Sequence, residues 1–149
     1  MKRMIMVACG VLLGASAVMA QQEVAVQQQK LMRAQAKSMY NVIGKMVKGD
    51  IPYDQKAVDT ALADLETDVS KIANVFTTDP KEHVKDATYA ASPKIWQNKA
   101  DFDSKIPPVA KAIGDFKGKV KNLDQLKVAY TTINDRCGAC HDTYRVKLK

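Results

Sequence analysis

Cysteine and histidine are scarce in this chain. Three cysteines (9, 137 and 140) and two histidines (83 and 141) are spread over 149 residues. Three cysteines cannot build a disulfide scaffold. A zinc site needs about four ligands, and these few are too scattered to close one. No stretch reads as a strand, which removes the βαβ setting of a thioredoxin-like redox pair. No apolar run after the first twenty residues reaches the roughly 20 residues of a membrane span. Internal repeats and low-complexity segments are absent. The charge excess is modest, 23 Lys and Arg against 16 Asp and Glu, and it is interleaved. That excludes the dense basic stripe of a nucleic-acid binder.

The N-terminus is built for export. Lys2 and Arg3 precede an uncharged apolar run, Met4 to Val18, and Val18-Met19-Ala20 puts small residues at the −3 and −1 positions before Gln21. The run is about 15 residues, short for a membrane anchor. Residues 1–20 are therefore expected to be a signal peptide. Cys9 is discounted as a lipoprotein site, because cleavage there would leave an apolar tail. Residues 21–149 form a single domain, long enough for a real core. They hold 21 basic and 16 acidic residues, a balance suited to an acidic protein partner.

The cysteines have a specific setting. Cys137-Gly138-Ala139-Cys140-His141 is C-x-x-C-H, the attachment signature of a c-type haem. The two thiols add across the porphyrin vinyl groups, and the adjacent histidine becomes an axial iron ligand. Small Gly138 and Ala139 let the backbone lie close to the ring. One covalent haem c is expected. With the basic leader and no later apolar span, this points to a bacterial periplasm.

Apolar residues recur at spacings of three and four over four stretches. The first runs from about Val24 to Lys48 and ends at Gly49 and Pro52. The second runs from about Tyr53 to Phe76 and is followed by an irregular loop, 77–91. Ser92-Pro93 opens the third, and Pro107-Pro108 predict a kink or break near Ile106. Asn122 with Gln125 caps the fourth, whose stripe Leu126, Tyr130, Ile133, Cys137, Cys140, Tyr144 and Leu148 includes both cysteines. The expected fold is all-α, an antiparallel up-down-up-down four-helix bundle with haem near one end.

Cys137 to Arg145, read as C-x-x-C-H-x-x-Y-R, the turn Lys48 to Asp54, and Ser92-Pro93-Lys94-Ile95-Trp96 resemble the class II c-type cytochromes, the cytochrome c′ family. Lys30-Leu31-Met32 is similar to the low-spin cytochrome c-556 branch. The resemblance implies an exported four-helix bundle and a methionine at the place of Met32 on the sixth iron position. It also implies an arginine at the place of Arg145 near the haem. The competing role for Arg145 is a cation offsetting the helix C-terminal dipole.

Register gives a separate test of the methionines. Met32, Met39 and Met46 are spaced by seven on the first helix. Three core residues at one heptad position is the plain alternative. If the first and last helices are antiparallel neighbours, Met32 is level with His141. Met39 then lies about 10 Å further along, and Met46 belongs to the core. His83 is a solvent histidine by context. Lys30, Arg33, Lys37, Lys147 and Lys149 gather at the haem end, where they would either steer an acidic redox partner or form a solvated face.

Two functions follow. With His141 and Met32 both on iron, the protein is an electron carrier and not an enzyme. With Met32 beside the haem but unbound, it is a high-spin, five-coordinate cytochrome c′ that takes NO or CO on an apolar distal face. A haem peroxidase is disfavoured for want of a distal histidine. Family members are often dimers, but no patch in the sequence decides the matter, and a monomer or homodimer is expected.

Overall fold

The computed structural model describes residues 8–149, with side chains at Met19 and from Gln21 onward. The expected leader, 1–20, thus lies almost wholly outside the described residues. Its backbone from Ala8 runs helically through residues 20 and 21.

The chain folds as four rods. The first comprises α1 (Ala8–Ala36), a π-helical segment (Lys37–Ile43) and α2 (Gly44–Lys48). It stops where Gly49 takes the left-handed conformation at φ 82° and its N–H turns back to Lys45 and Met46 carbonyls, a stop that favours glycine. The second comprises α3 (Gln55–Ser70), N-capped by the Asp54 carboxylate on Ala57 N–H at 2.8 Å, and α4 (Ile72–Val75).

The third rod is more broken than the periodicity predicts. Ser92 Oγ accepts from Lys94 N–H at 3.3 Å and starts α5 (Lys94–Gln97). Asn98 leaves helical geometry and caps α6 (Lys99–Ser104) through Asp101 N–H. The expected break near Ile106 is present. α6 ends at Ser104 with Lys105 as its cap, and Pro107 and Pro108 fall in the first turn of α7 (Ile106–Phe116), where missing amide donors do no harm.

The fourth rod is α8 (Leu123–Tyr144), capped by Asn122 Oδ1 on Gln125 N–H at 2.9 Å. Gln125 Oε1 bonds back to Lys121 N–H, one residue before the place a capping box predicts. The rods close into a ring. α1 and the π segment pack on α3, α3 on α7, α7 on α8, and α8 on α2 and the π segment. Ile43, Val58, Leu62, Leu65, Ile113, Leu126 and Ile133 fill the centre, each below 2% exposed. Each contributes about 1.5–3 kcal/mol by burial. Among the described residues, no helix is long and apolar enough to cross a membrane.

The sequence reading errs at the C-terminus. The last helix stops at Tyr144, and Leu148 is not on its stripe. Arg145–Lys147 forms β2, antiparallel to β1 (Tyr89–Ala91) in the loop expected to be irregular. Ser92 N–H to Tyr144 O and Leu148 N–H to Thr88 O, both 2.9 Å, extend this clasp at its two ends.

Candidate functional site

Cys137, Cys140 and His141 lie in the last two turns of α8. Spacings of three and four put them on one helix face. Both cysteines are half-buried against the core, their thiols free, and His141 is half-buried beside them. Burial pushes the Cys137 thiol up to about 11, with Cys140 adding to the shift. Burial also raises Cys140, against the pull of Lys105. Redox-active C-x-x-C pairs have lowered thiol pKa values, the opposite of the direction at this pair. Burial lowers the His141 pKa, and the Arg145 charge lowers it further, against Asp142. Both effects favour the neutral imidazole, the form that binds a metal.

The turn after His141 is tightly fixed. The Tyr144 ring is buried and meets Phe102 edge-on, with centroids 5.2 Å apart. Its hydroxyl donates to Asp101 Oδ2. That bond pushes the Tyr144 pKa up to about 12 and, with Lys105, holds Asp101 below the usual carboxylate range. Arg145 sits over the Tyr89 ring at 4.5 Å. The clasp therefore anchors the chain just beyond the histidine.

The first rod faces this turn in a definite register. Tyr40 hydroxyl donates to Asn134 Oδ1 at 3.0 Å. Four residues on, Gly44 meets Tyr130 so closely that an added Cβ would lie 3.3 Å from the ring. Each step forward in the first rod is one step back in α8. Carrying that count seven residues, from Asn134 to His141, brings the first rod from Tyr40 to Arg33. Met32 is thus within one residue of His141's level, while Met39 is level with Asp135 and Met46 with Val128.

Met32 is half-buried and packs against the core, whereas Met39 and Met46 are sealed inside it. α8 packs on the first rod through the π segment and α2, and α1 packs on α3 and α4 instead. The register at Tyr40 and Gly44 thus brings the stretch carrying Met32 level with the cysteine-histidine turn.

Other candidates fall where expected or elsewhere. His83 is exposed in the loop. Trp96 is half-buried, its Nε1 donating to Phe76 O at 3.1 Å. Lys30, Arg33, Lys37, Lys147 and Lys149 are exposed, and Lys149 pairs with Asp86 at 3.1 Å. An open groove of about 630 Å³ runs between the first rod and α3, away from the cysteines.

The clasp, the Tyr40–Asn134 bond and Gln35 lie outside the sequence expectations. Gln35 Nε2 is buried without a hydrogen-bond partner among the described residues. The π segment also passed unseen. There Gly44 N–H bonds to Met39 O, five residues back, a widening often found at functional sites.

The family model described as Cytochrome C′ matches residues 23–145. Cytochrome c-555 of Bradyrhizobium diazoefficiens is 67% identical over 149 residues, covering 100% of both chains. Cytochrome c-556 of Rhodopseudomonas palustris is 42% identical, covering 99% of both. Among solved structures, oxidised R. palustris cytochrome c556 superposes with a TM-score of 0.71 at 37% identity, covering 85% of this chain and 98% of that one. Cytochrome c′ from the same organism gives 0.74 at 30%, with the same coverage.

Proposed function

The chain belongs to the cytochrome c′ family, and on that premise we propose that it is a periplasmic single-electron carrier with one haem c. Cys137 and Cys140 would hold the haem, and His141 and Met32 would bind its iron. The residues suit the group. Two free thiols and a neutral imidazole share one helix face, and a buried donor, Gln35 Nε2, lacks a partner on the facing rod. Bound haem c would supply a reversible one-electron couple, its potential raised by methionine ligation.

The chain's own part is to hold the ligands still. The observation that carries the reading is the Tyr40–Asn134 register, which favours Met32 over Met39 and Met46. The clasp and the Tyr144–Asp101 bond restrain the backbone next to His141. A coordination shell fixed on both sides changes little between oxidation states, as electron transfer requires. Arg145, held over the Tyr89 ring four residues after His141, is assigned a haem-carboxylate contact on the family resemblance. Exposed Lys30, Arg33, Lys37 and Lys147 would steer an acidic redox partner, an attraction that fades with salt. Residues 1–20 serve as the export signal in this reading, and the mature protein is a monomer or homodimer.

A second reading leaves Met32 unbound and the iron five-coordinate and open to NO or CO. It is favoured by Met32 being half-buried, not sealed like Met39. Visible spectra of the purified oxidised and reduced protein, with and without CO, separate the two. The carrier reading requires low-spin spectra and slow CO uptake. A high-spin protein that takes up CO at once supports the second.

A further inference from the structure

The first rod turns two glutamines inward, Gln28 fully buried and Gln35 half-buried with only its amide nitrogen shut from solvent, and the fold treats them differently. Gln28 Nε2 donates to Thr78 O at 3.0 Å and to Val75 O at 3.4 Å, tying α1 to the end of the second rod. Gln35 Nε2 is shut from solvent, although the residue as a whole is only half-buried, and it has no partner among the described residues. A buried donor left unpaired is destabilising, so its retention calls for an acceptor that the polypeptide does not supply.

The position of Gln35 indicates where that acceptor lies. Ala25, Gln28, Met32, Gln35 and Met39 follow one another at spacings of three and four, which is one face of a helix. Ala25, Gln28 and Met39 are buried, and Met32 packs on the core, so this is the inward face. In the register set by Tyr40 and Asn134, Gln35 is level with Ala139, between Cys137 and His141. It is also three residues from Met32, a neighbouring position on a helix surface.

A haem between these rods offers two kinds of acceptor. The propionates are charged and seek water at the protein edge, whereas the Gln35 nitrogen has no solvent exposure. The other acceptor is the atom bound to iron opposite His141. We infer that Gln35 is a hydrogen-bond donor on that distal face, directed at whatever occupies the sixth iron position. This rests on the haem and axial assignments above. In the resting protein the acceptor is the Met32 sulfur, which keeps a lone pair after binding a metal. The bond holds the thioether in one orientation and resists its release. Where the position is open, the same N–H serves the outer atom of a diatomic ligand. The distal face is then not wholly apolar, unlike the apolar face expected from sequence for the five-coordinate form.

The experiment uses the haem-loaded protein in a background where the sixth position is open in any case. Met32→Ala is compared with Met32→Ala/Gln35→Leu and Met32→Ala/Gln28→Leu, each reduced and saturated with CO. The C–O stretch and the CO dissociation rate are measured. Loss of the Gln35 donor should raise the stretch and speed dissociation about two- to tenfold, the worth of one neutral hydrogen bond. Gln28→Leu should lower stability and leave both CO readings in place. Leucine at 35 removes an unpaired polar group at similar volume, so folding should survive. Gln35→Asn, with a shorter reach, should shift both readings in the same direction. An unchanged stretch and rate in both Gln35 variants would overturn the inference. The spin state of the unmutated protein decides the Met32 assignment separately.

Discussion

Tyr40 donates its hydroxyl to Asn134 Oδ1 at 3.0 Å, one turn before Cys137 on α8. That bond joins the π segment to the helix that carries the haem motif. It fixes which residue of the first rod comes level with His141. Tyr40 is partly exposed, and its own pKa is raised by burial first and then by Cys137 and Tyr130.

The pair should behave as a coupled unit. Tyr40→Phe should lower stability by about 0.5 kcal/mol, the low end for a hydrogen bond open to water. Asn134→Ala in the Tyr40→Phe background should add less than it does alone. Denaturant unfolding of the four proteins measures the coupling. Strict additivity would show that the bond does not set the register.

Gly44 is the second register point. An added Cβ would lie 3.2 Å from Met39 O and 3.3 Å from the Tyr130 ring. Alanine gains about 0.5–1 kcal/mol over glycine in a helix, but overpacking a tight contact costs about 1–3 kcal/mol. The Met39 carbonyl is backbone and cannot yield easily. Gly44→Ala should therefore destabilise by about 1 kcal/mol in thermal unfolding, and a stabilised variant would contradict the contact.

The Tyr144–Asp101 bond should leave a pH signature. The folded-state pKa of Asp101 is lowered, chiefly by the Tyr144 hydroxyl and then by Lys105. A depressed carboxylate contributes stability that is present above its unfolded pKa, about 3.9, and is lost as pH falls through the folded value. The stability gap between the parent and Asp101→Asn should be full at pH 6 and shrink below about pH 4. A gap that does not change with pH would mean that the carboxylate is not held in its charged form.

The clasp should open when Arg145 is removed. Its guanidinium lies over Tyr89, a contact worth about 0.5–1 kcal/mol at an exposed site. Arg145→Ala should speed hydrogen exchange at the β1–β2 amides several-fold and leave α3 and α7 amides unchanged. Equal exchange in both proteins would show that the backbone ladder alone holds the clasp.

Much of the site could be read from local chemistry. Cys137, Cys140 and His141 announce themselves by spacing, and Asn122 with Gln125 marks the start of α8. Pro107 and Pro108 mark the break before α7. Asn98 also carried a signal, since Asp101 three residues on is a cap pattern, but the surrounding stripe masked it. Arg145-Val146-Lys147-Leu148-Lys149 alternates like a strand. It was absorbed into the helical stripe because Tyr144 and Leu148 are four apart. Its partner strand lies more than fifty residues away, so local pattern could not reveal the clasp. The π segment and the Tyr40–Asn134 bond depend on how two distant rods meet. Gln35 is a polar residue on an apolar stripe, a legible anomaly whose lack of a partner needed the fold to show it.

The most direct measurement is the spin state of the oxidised iron in the parent, Met32→Ala and Met39→Ala proteins, read from visible spectra. The account requires a low-spin parent, a high-spin Met32→Ala that binds CO rapidly when reduced, and a Met39→Ala that stays low-spin. Met39→Ala should pay only for lost packing, about 2–5 kcal/mol of stability. A high-spin parent, or a Met32→Ala that stays low-spin while Met39→Ala does not, would contradict it.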